Sequence, residues 1–319
     1  MVRVIVTGAS GVLGSAVYAA FKSAGITTLG FANSRPTDEL KQLDLVDAEA
    51  TEHIFTEFKP NWVIHCAAER RPDVAEKDPE ATRKINVSVP ESLARLSKKL
   101  KFKLVYISTD YVFDGTSPPY APSAVPNPLN LYGITKRDGE TAVLGVSGAQ
   151  SIVLRVPVLY NILFFCIPDC TLIKENRYGP APNNKDSAVN ILLDVVADQS
   201  GKEYKMDHFA TRFPTNVLDI ADFLVRLTTL PPSPAIPPIL HYSAAEPFTK
   251  YEMCLIFAKI LGVPHGHIVA DAEPPKGGMR RPQNTQMYLH ETEDLMEGFG
   301  GIGWNPFEEW WVDYLTKTQ

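Results

Sequence analysis

The segment that most constrains the fold lies at the start of the chain. Val2–Thr7 is a short apolar run, and Thr7-Gly8-Ala9-Ser10-Gly11-Val12-Leu13-Gly14 follows it directly. Apolar residues at helical spacing then continue to Ala24, and Gly25 stops them. A strand that ends in glycines and opens a helix is a turn built for a close-approaching ligand. The glycines let backbone come near a pyrophosphate, and the helix N-terminus favours its negative charge. The spacing of Gly8, Gly11 and Gly14 differs from the usual GxGxxG, but the strand-to-helix context is the required one.

The alternation continues. Ile26–Ala32 predicts a second strand, Asp47–Phe58 a helix opened by Asp47, and Trp62–Ala67 a third strand. Glu80–Leu100 predicts a helix bent at Pro90. Lys103–Ser108, Asn130–Leu144 and Ser151–Val156 complete a strand–helix–strand series. Strands alternating with helices predict an α/β fold with a doubly wound parallel sheet covered on both faces. After Pro157 the regularity falls. Helices are expected over Val189–Val196, over Val217–Leu227 (opened by Asp219 or a neighbour) and over Thr249–Leu261. Leu240–Ser243 is a late strand. The expected division is a dinucleotide-binding domain over 1–160, with segments returning to it near 210–243, and a smaller C-terminal lobe over 161–319.

The 319 residues carry a net charge of −6 with cations spread throughout, so no nucleic-acid partner is expected. No apolar run reaches the roughly 20 residues needed to span a bilayer, and no secretory signal pattern opens the chain, so no membrane association is expected. Of four cysteines, Cys66 lies in an apolar strand, and Cys166 and Cys170 have no His or Cys pair nearby. No metal site is expected, and a cytoplasmic location fits best.

Tyr132 and Lys136 stand four apart in a predicted helix, one turn apart on one face. An ammonium beside a phenol favours the phenolate, so Lys136 is expected to lower the Tyr132 pKa. Ser108-Thr109-Asp110 ends a strand on the side where such sheets bind ligands. Thr109, with Ser108 as second choice, is placed to orient a substrate oxygen while Tyr132 transfers a proton and Lys136 binds a ribose. After the second strand comes Phe31-Ala32-Asn33-Ser34-Arg35, with no acid to hold ribose hydroxyls. Arg35 can meet a 2′-phosphate, which favours NADP(H) over NAD(H). Asp44 and Leu45 can border the adenine.

These residues resemble the extended short-chain dehydrogenase/reductase family, with its Rossmann fold. STDYVFDG (108–115) and the Asn130–Lys136 core resemble its dTDP-4-dehydrorhamnose reductase branch. The run from His65 to Val74 is similar to the regulatory beta subunits of methionine adenosyltransferase. So are Met206-Asp207-His208, Arg212-Phe213-Pro214-Thr215 and Thr249–Met253. The resemblance implies an NADP(H)-binding regulatory subunit whose partner is the catalytic methionine adenosyltransferase subunit, modulating S-adenosylmethionine synthesis. The alternative is an NADPH-dependent reductase of a nucleotide-linked 4-keto sugar with the triad Thr109, Tyr132 and Lys136. Whether the chain is an enzyme stays open at this point. Carried over by position, cofactor contacts fall on Ser10, Gly11, Val12, Leu13, Asp44, Leu45, Cys66, Arg70, Tyr132 and Leu159.

The chain departs from these relatives in three places. Ala32 and Asn33 stand where the regulatory subunits have two arginines. The tail Trp304–Gln319 differs, though Trp310, Trp311 and Tyr314 offer an apolar surface for a partner. Finally, 161–178 interrupts the family pattern between Leu159-Tyr160 and Gly179, with an apolar run at Ile162–Ile167. It reads as a translated intron or alternative exon, or else as a lineage-specific lobe.

Overall fold

The computed structural model describes residues 2–160, 184–232 and 235–316. The segment 161–178, with Cys166 and Cys170, lies outside the described residues. Among the described residues eleven strands form, in chain order β1 Arg3–Thr7, β2 Thr27–Ala32, β3 Lys41–Gln42, β4 Trp62–His65, β5 Lys103–Thr109, β6 Gln150–Val156, β7 Leu159–Tyr160, β8 Tyr204–Asp207, β9 Thr215–Asn216, β10 Ile239–His241 and β11 Ile268–Asp271. The helices are α1 Val12–Ser23, α2 Ala48–Phe58, α3 Pro72–Lys77, α4 Pro79–Arg83, α5 Val89–Leu100, α6 Leu131–Leu144, α7 Ile191–Ala197, α8 Val217–Thr229, α9 Lys250–Leu261, α10 His290–Met296 and α11 Phe307–Thr316.

Seven strands make one parallel sheet in the order β10-β6-β5-β4-β1-β2-β3. Successive residues of β1 point to opposite faces, and both faces are buried. Val4 and Val6 join a core with α1, α8 and α10, whereas Ile5 joins a core with α2, α5 and Val143 of α6. A strand covered twice needs apolar side chains at every position, which is why β1 and β4 read as continuous runs. The strand order reverses beside β1, between β4 and β2, and a crevice opens at the carboxyl ends there.

A further core lies beyond the sheet. Tyr160, Phe257, Phe307 and Trp311 pack with α7, α9 and α11. Phe257 and Trp311 meet edge to face at 5.0 Å. Trp311 is fully buried there, and Trp310 stacks on Tyr314 at 5.2 Å. Trp311 thus serves its own core, whereas Trp310 and Tyr314 stay half-buried.

Helix ends follow the local chemistry. Asp47 caps α2 through the Ala50 amide, and Thr249 and Glu252 form a capping box on α9. α8 is capped by Asn216, not by Asp219, whose carboxylate instead accepts the Asn305 amide. The bend expected at Pro90 takes the form of a π-helical segment over Lys84–Ser88, just before Pro90 enters the first turn of α5. Proline lacks the N–H that would continue an α ladder and crowds the carbonyl four residues back, so a wider turn relieves both. Among the described residues no helix is long and apolar enough to cross a membrane.

Candidate functional site

The crevice at the carboxyl ends of the strands holds a cleft of about 740 Å³. It is lined by both halves of the chain, by the glycine loop as well as by Arg212, Lys250 and Arg281.

The glycine loop sits where β1 meets α1. Gly8 has φ +66°, and a Cβ there would lie 2.6 Å from the Ala67 amide nitrogen beyond β4. A Cβ on Gly14 would lie 2.1 Å from the Gly8 carbonyl oxygen. The turn is closed by Gly11 N–H donating to that carbonyl at 2.9 Å. Gly11 is also the N-cap of α1 and brings no capping side chain, so the helix entrance faces the cleft without an anion of its own. A cradle that any side chain would fill, at the positive end of a three-turn helix, fits a dinucleotide pyrophosphate.

Every residue singled out from the sequence lines this cleft. Gly8, Ser10, Gly11, Val12, Leu13 and Gly14 form its floor, with Arg35, Asp44 and Leu45 on the β2 side. Cys66, Arg70, Thr109, Tyr132, Lys136 and Leu159 complete the walls. Burial pushes the Cys66 thiol up to about 12, so it is a neutral apolar wall.

Asn130 caps α6 through the Gly133 amide, which fixes where Tyr132 and Lys136 emerge. The Lys136 ammonium donates to the Ile107 carbonyl at 2.7 Å and lies 3.8 Å from the centre of the Tyr106 ring. Burial lowers its pKa to about 7, against the opposing pull of the Glu140 carboxylate. The Tyr132 hydroxyl is buried and its pKa is raised by desolvation. The Thr109 hydroxyl and the Arg70 charge lower it in part, and the Asp110 carboxylate raises it. The expected lowering by Lys136 is therefore corrected. The lysine is turned toward β5, and burial outweighs the neighbouring cation.

Thr109 is held on three sides. Its hydroxyl donates to Asp110 Oδ1 at 3.1 Å and accepts from the Tyr111 amide at 3.2 Å. The same hydroxyl neighbours the Tyr132 phenol and lowers its pKa in part. Thr285 donates to Asp110 Oδ2 at 2.5 Å and ties this corner to the chain's last third. Ser108 points away and donates to Glu140 Oε1 at 2.5 Å. Glu140 in turn forms a buried two-pronged pair with Arg155, at 2.9 and 2.7 Å. Both residues border the cleft, but the Ser108 hydroxyl is taken up by Glu140.

Sequence reasoning passed over five contributors. Arg212, Lys250 and Met253 stood inside segments noted only for resemblance, and Asp186 and Arg281 carried no signal at all. Asp186 meets Arg35 at 3.0 Å and Arg70 at 3.4 Å, pairs separated by more than a hundred residues. Among the described residues no group of three or more His, Cys, Asp or Glu is placed to hold a metal ion.

A parallel doubly wound sheet, a glycine cradle and a Thr–Tyr–Lys set in one crevice define the extended short-chain dehydrogenase/reductase class. Within it, the chain belongs to the RmlD substrate binding domain family, whose model matches residues 2–304. It is 42% identical over 302 residues to methionine adenosyltransferase 2 subunit beta of Xenopus tropicalis, covering 94% of this chain and 83% of that one. It is 30% identical over 288 residues to dTDP-4-keto-6-deoxy-D-glucose reductase of Streptomyces niveus, covering 89% and 87%. Among solved structures, dTDP-4-dehydrorhamnose reductase from Bacillus anthracis in complex with NADP superposes with a TM-score of 0.77 at 22% identity, over 99% of both chains. The Bordetella bronchiseptica enzyme WbmG in complex with NAD gives 0.71 at 19% identity, over 96% of this chain and 90% of that one. The structural likenesses show the shared fold.

Proposed function

We propose that this chain is a regulatory subunit of methionine adenosyltransferase that binds NADP(H) in the cleft, associates with the catalytic subunit in the cytoplasm and modulates S-adenosylmethionine synthesis. The observation that carries this reading is 42% identity to a methionine adenosyltransferase 2 subunit beta across 94% of the chain. The site is compatible with binding without turnover: the Lys136 ammonium is held by the Ile107 carbonyl, and desolvation raises the Tyr132 pKa. In this reading the glycine loop with Ser10 to Leu13 holds the pyrophosphate. Asp44 and Leu45 border the adenine, and Arg35 meets a 2′-phosphate. Cys66, Arg70, Tyr132, Lys136 and Leu159 wall the nicotinamide half. Capture of the purified catalytic subunit, with a changed rate of S-adenosylmethionine synthesis, is the expected result. A folded chain that neither captures it nor changes the rate overturns the reading.

A second reading is favoured by a group of cations lining the cleft. Arg212, Lys250 and Arg281 gather there, and Arg281 and Arg212 both press on the Lys250 ammonium. Three cations in one cleft suit the diphosphate of a nucleotide-linked 4-keto sugar. NADPH, when bound, supplies a hydride. Tyr132 would then give its proton to the carbonyl oxygen, with Thr109 orienting it. Steady NADPH oxidation with a dTDP-4-keto sugar would establish this reading in place of the first.

A further inference from the structure

Resting on the dinucleotide reading, we propose that Asp186 is a built-in counter-anion that competes with a 2′-phosphate for Arg35 and so weakens the preference for NADP(H), with Arg70 braced on the same carboxylate. Arg35 follows β2, where the adenosine ribose is bound in sheets of this kind. It is the cation available there for a 2′-phosphate, because Ala32, Asn33 and Ser34 precede it without charge. In this structure the Arg35 guanidinium donates to Asp186 Oδ2 at 3.0 Å, and Arg70 donates to Oδ1 of the same carboxylate at 3.4 Å. One carboxylate thus spans two cations reaching from different strand ends. All three residues line the cleft.

The carboxylate is fixed by the fold. Asn184–Asp186 form a single 3₁₀ turn, and Ser187 beside it donates to the Leu159 carbonyl at 2.8 Å. The Ser187 oxygen also receives the Val189 amide at 3.2 Å, and Val189 is fully buried. These contacts hold the backbone beside Asp186 and so keep its carboxylate within reach of both arginines. A phosphate entering at Arg35 must displace Asp186 or endure its repulsion. A ribose 2′-hydroxyl, being neutral, meets no such opposition. The pairs are partly exposed, Arg35 at 44% and Asp186 at 24%, so the effect is a moderate bias and not a block.

The test compares dissociation constants for NADPH and NADH by titration calorimetry on the full chain and on Asp186→Asn. The variant is expected to tighten NADPH by about fivefold while moving NADH by less than about twofold. Asp186→Ala should behave alike, and both should melt with the wild type. In a double variant, adding Arg35→Gln should erase the gain. Equal movement of both dinucleotides, no movement, or a gain that survives Arg35→Gln overturns the proposal. If neither dinucleotide binds the wild type or either variant, the dinucleotide reading falls and the role of Asp186 falls with it.

Discussion

Lys136 carries its ammonium in a place where water cannot reach it, and this has a measurable pH signature. Its pKa falls from 10.5 to about 7. Above pH 7 the unfolded chain still holds that proton and the native chain has released it. The unfolded state then binds more protons, so stability rises with pH. Two thiols end the window: Cys66 and Cys254 are pushed from 9.0 to about 12, which makes stability fall once the unfolded thiols ionise above pH 9. The buried His65 and His241, lowered from 6.5 to about 3, have spent their effect below pH 6.5. Between pH 7 and 9 the unfolding free energy should therefore climb, by at most about 1.4 kcal/mol per pH unit from Lys136. Lys250, also lowered by burial, adds to the same trend. Lys136→Met should flatten the slope in denaturant titrations at pH 7, 8 and 9, and an unchanged slope would mean that Lys136 stays charged in the native state. Tyr132 separates the two functional readings. Tyr132→Phe should leave dinucleotide affinity within about threefold and keep any effect on S-adenosylmethionine synthesis, whereas a working reductase should lose on the order of 10²-fold in turnover.

At the scale of elements, β1, the glycine loop and α1 act as one device, and its weakest point is steric. The Cβ of Gly14→Ala would stand 2.1 Å from the Gly8 carbonyl, which already accepts from Gly11. Backbone cannot yield as a side chain can, so the turn must open. The expected loss is about 1–3 kcal/mol of stability. Dinucleotide affinity should fall at least tenfold, on the order of a lost turn of oriented amides. Calorimetry on the folded variant decides this, and an affinity near that of the wild type would remove the loop from the binding site. This device was readable from the sequence because β1, the loop and α1 follow one another in a single stretch, Arg3–Ser23. The same holds for the Asp47 and Thr249 caps and for the α6 pair. What stayed hidden depends on distant partners. β3 is only Lys41–Gln42, exposed and polar, and exists by pairing with β2. Asp219 lies inside the first turn of α8, so its neighbour Asn216 caps the helix, and the Asp219 carboxylate is left to accept from Asn305. The direction of the Lys136 ammonium was set by the Ile107 carbonyl, which no helical spacing reveals. The clasp of Arg35 and Arg70 on Asp186 joins three separate loops and left no local trace.

Across the whole molecule, the cleft is where separately built cores come together. The glycine loop belongs with the core of Val4, Val6 and α1, whereas Leu192, Met253 and Trp311 belong to the core of the later helices. Leu159, Ser187 and Met253 nevertheless line the same cleft as Gly8 and Gly14. A ligand that fills the cleft touches both bodies, so its binding free energy should stabilise both and not only the glycine-loop half. A dinucleotide at one hundred times its dissociation constant contributes about 2.7 kcal/mol to the folded state. Hydrogen exchange with and without saturating NADPH gives the readout. Protection should rise at the start of α1 and also over 187–193 and at the first turn of α9. If protection rises only at α1 and β1, the ligand rests on the sheet alone. The cations Arg212, Lys250 and Arg281 would then be serving something other than the dinucleotide half of the cleft, and a second ligand would have to be sought there.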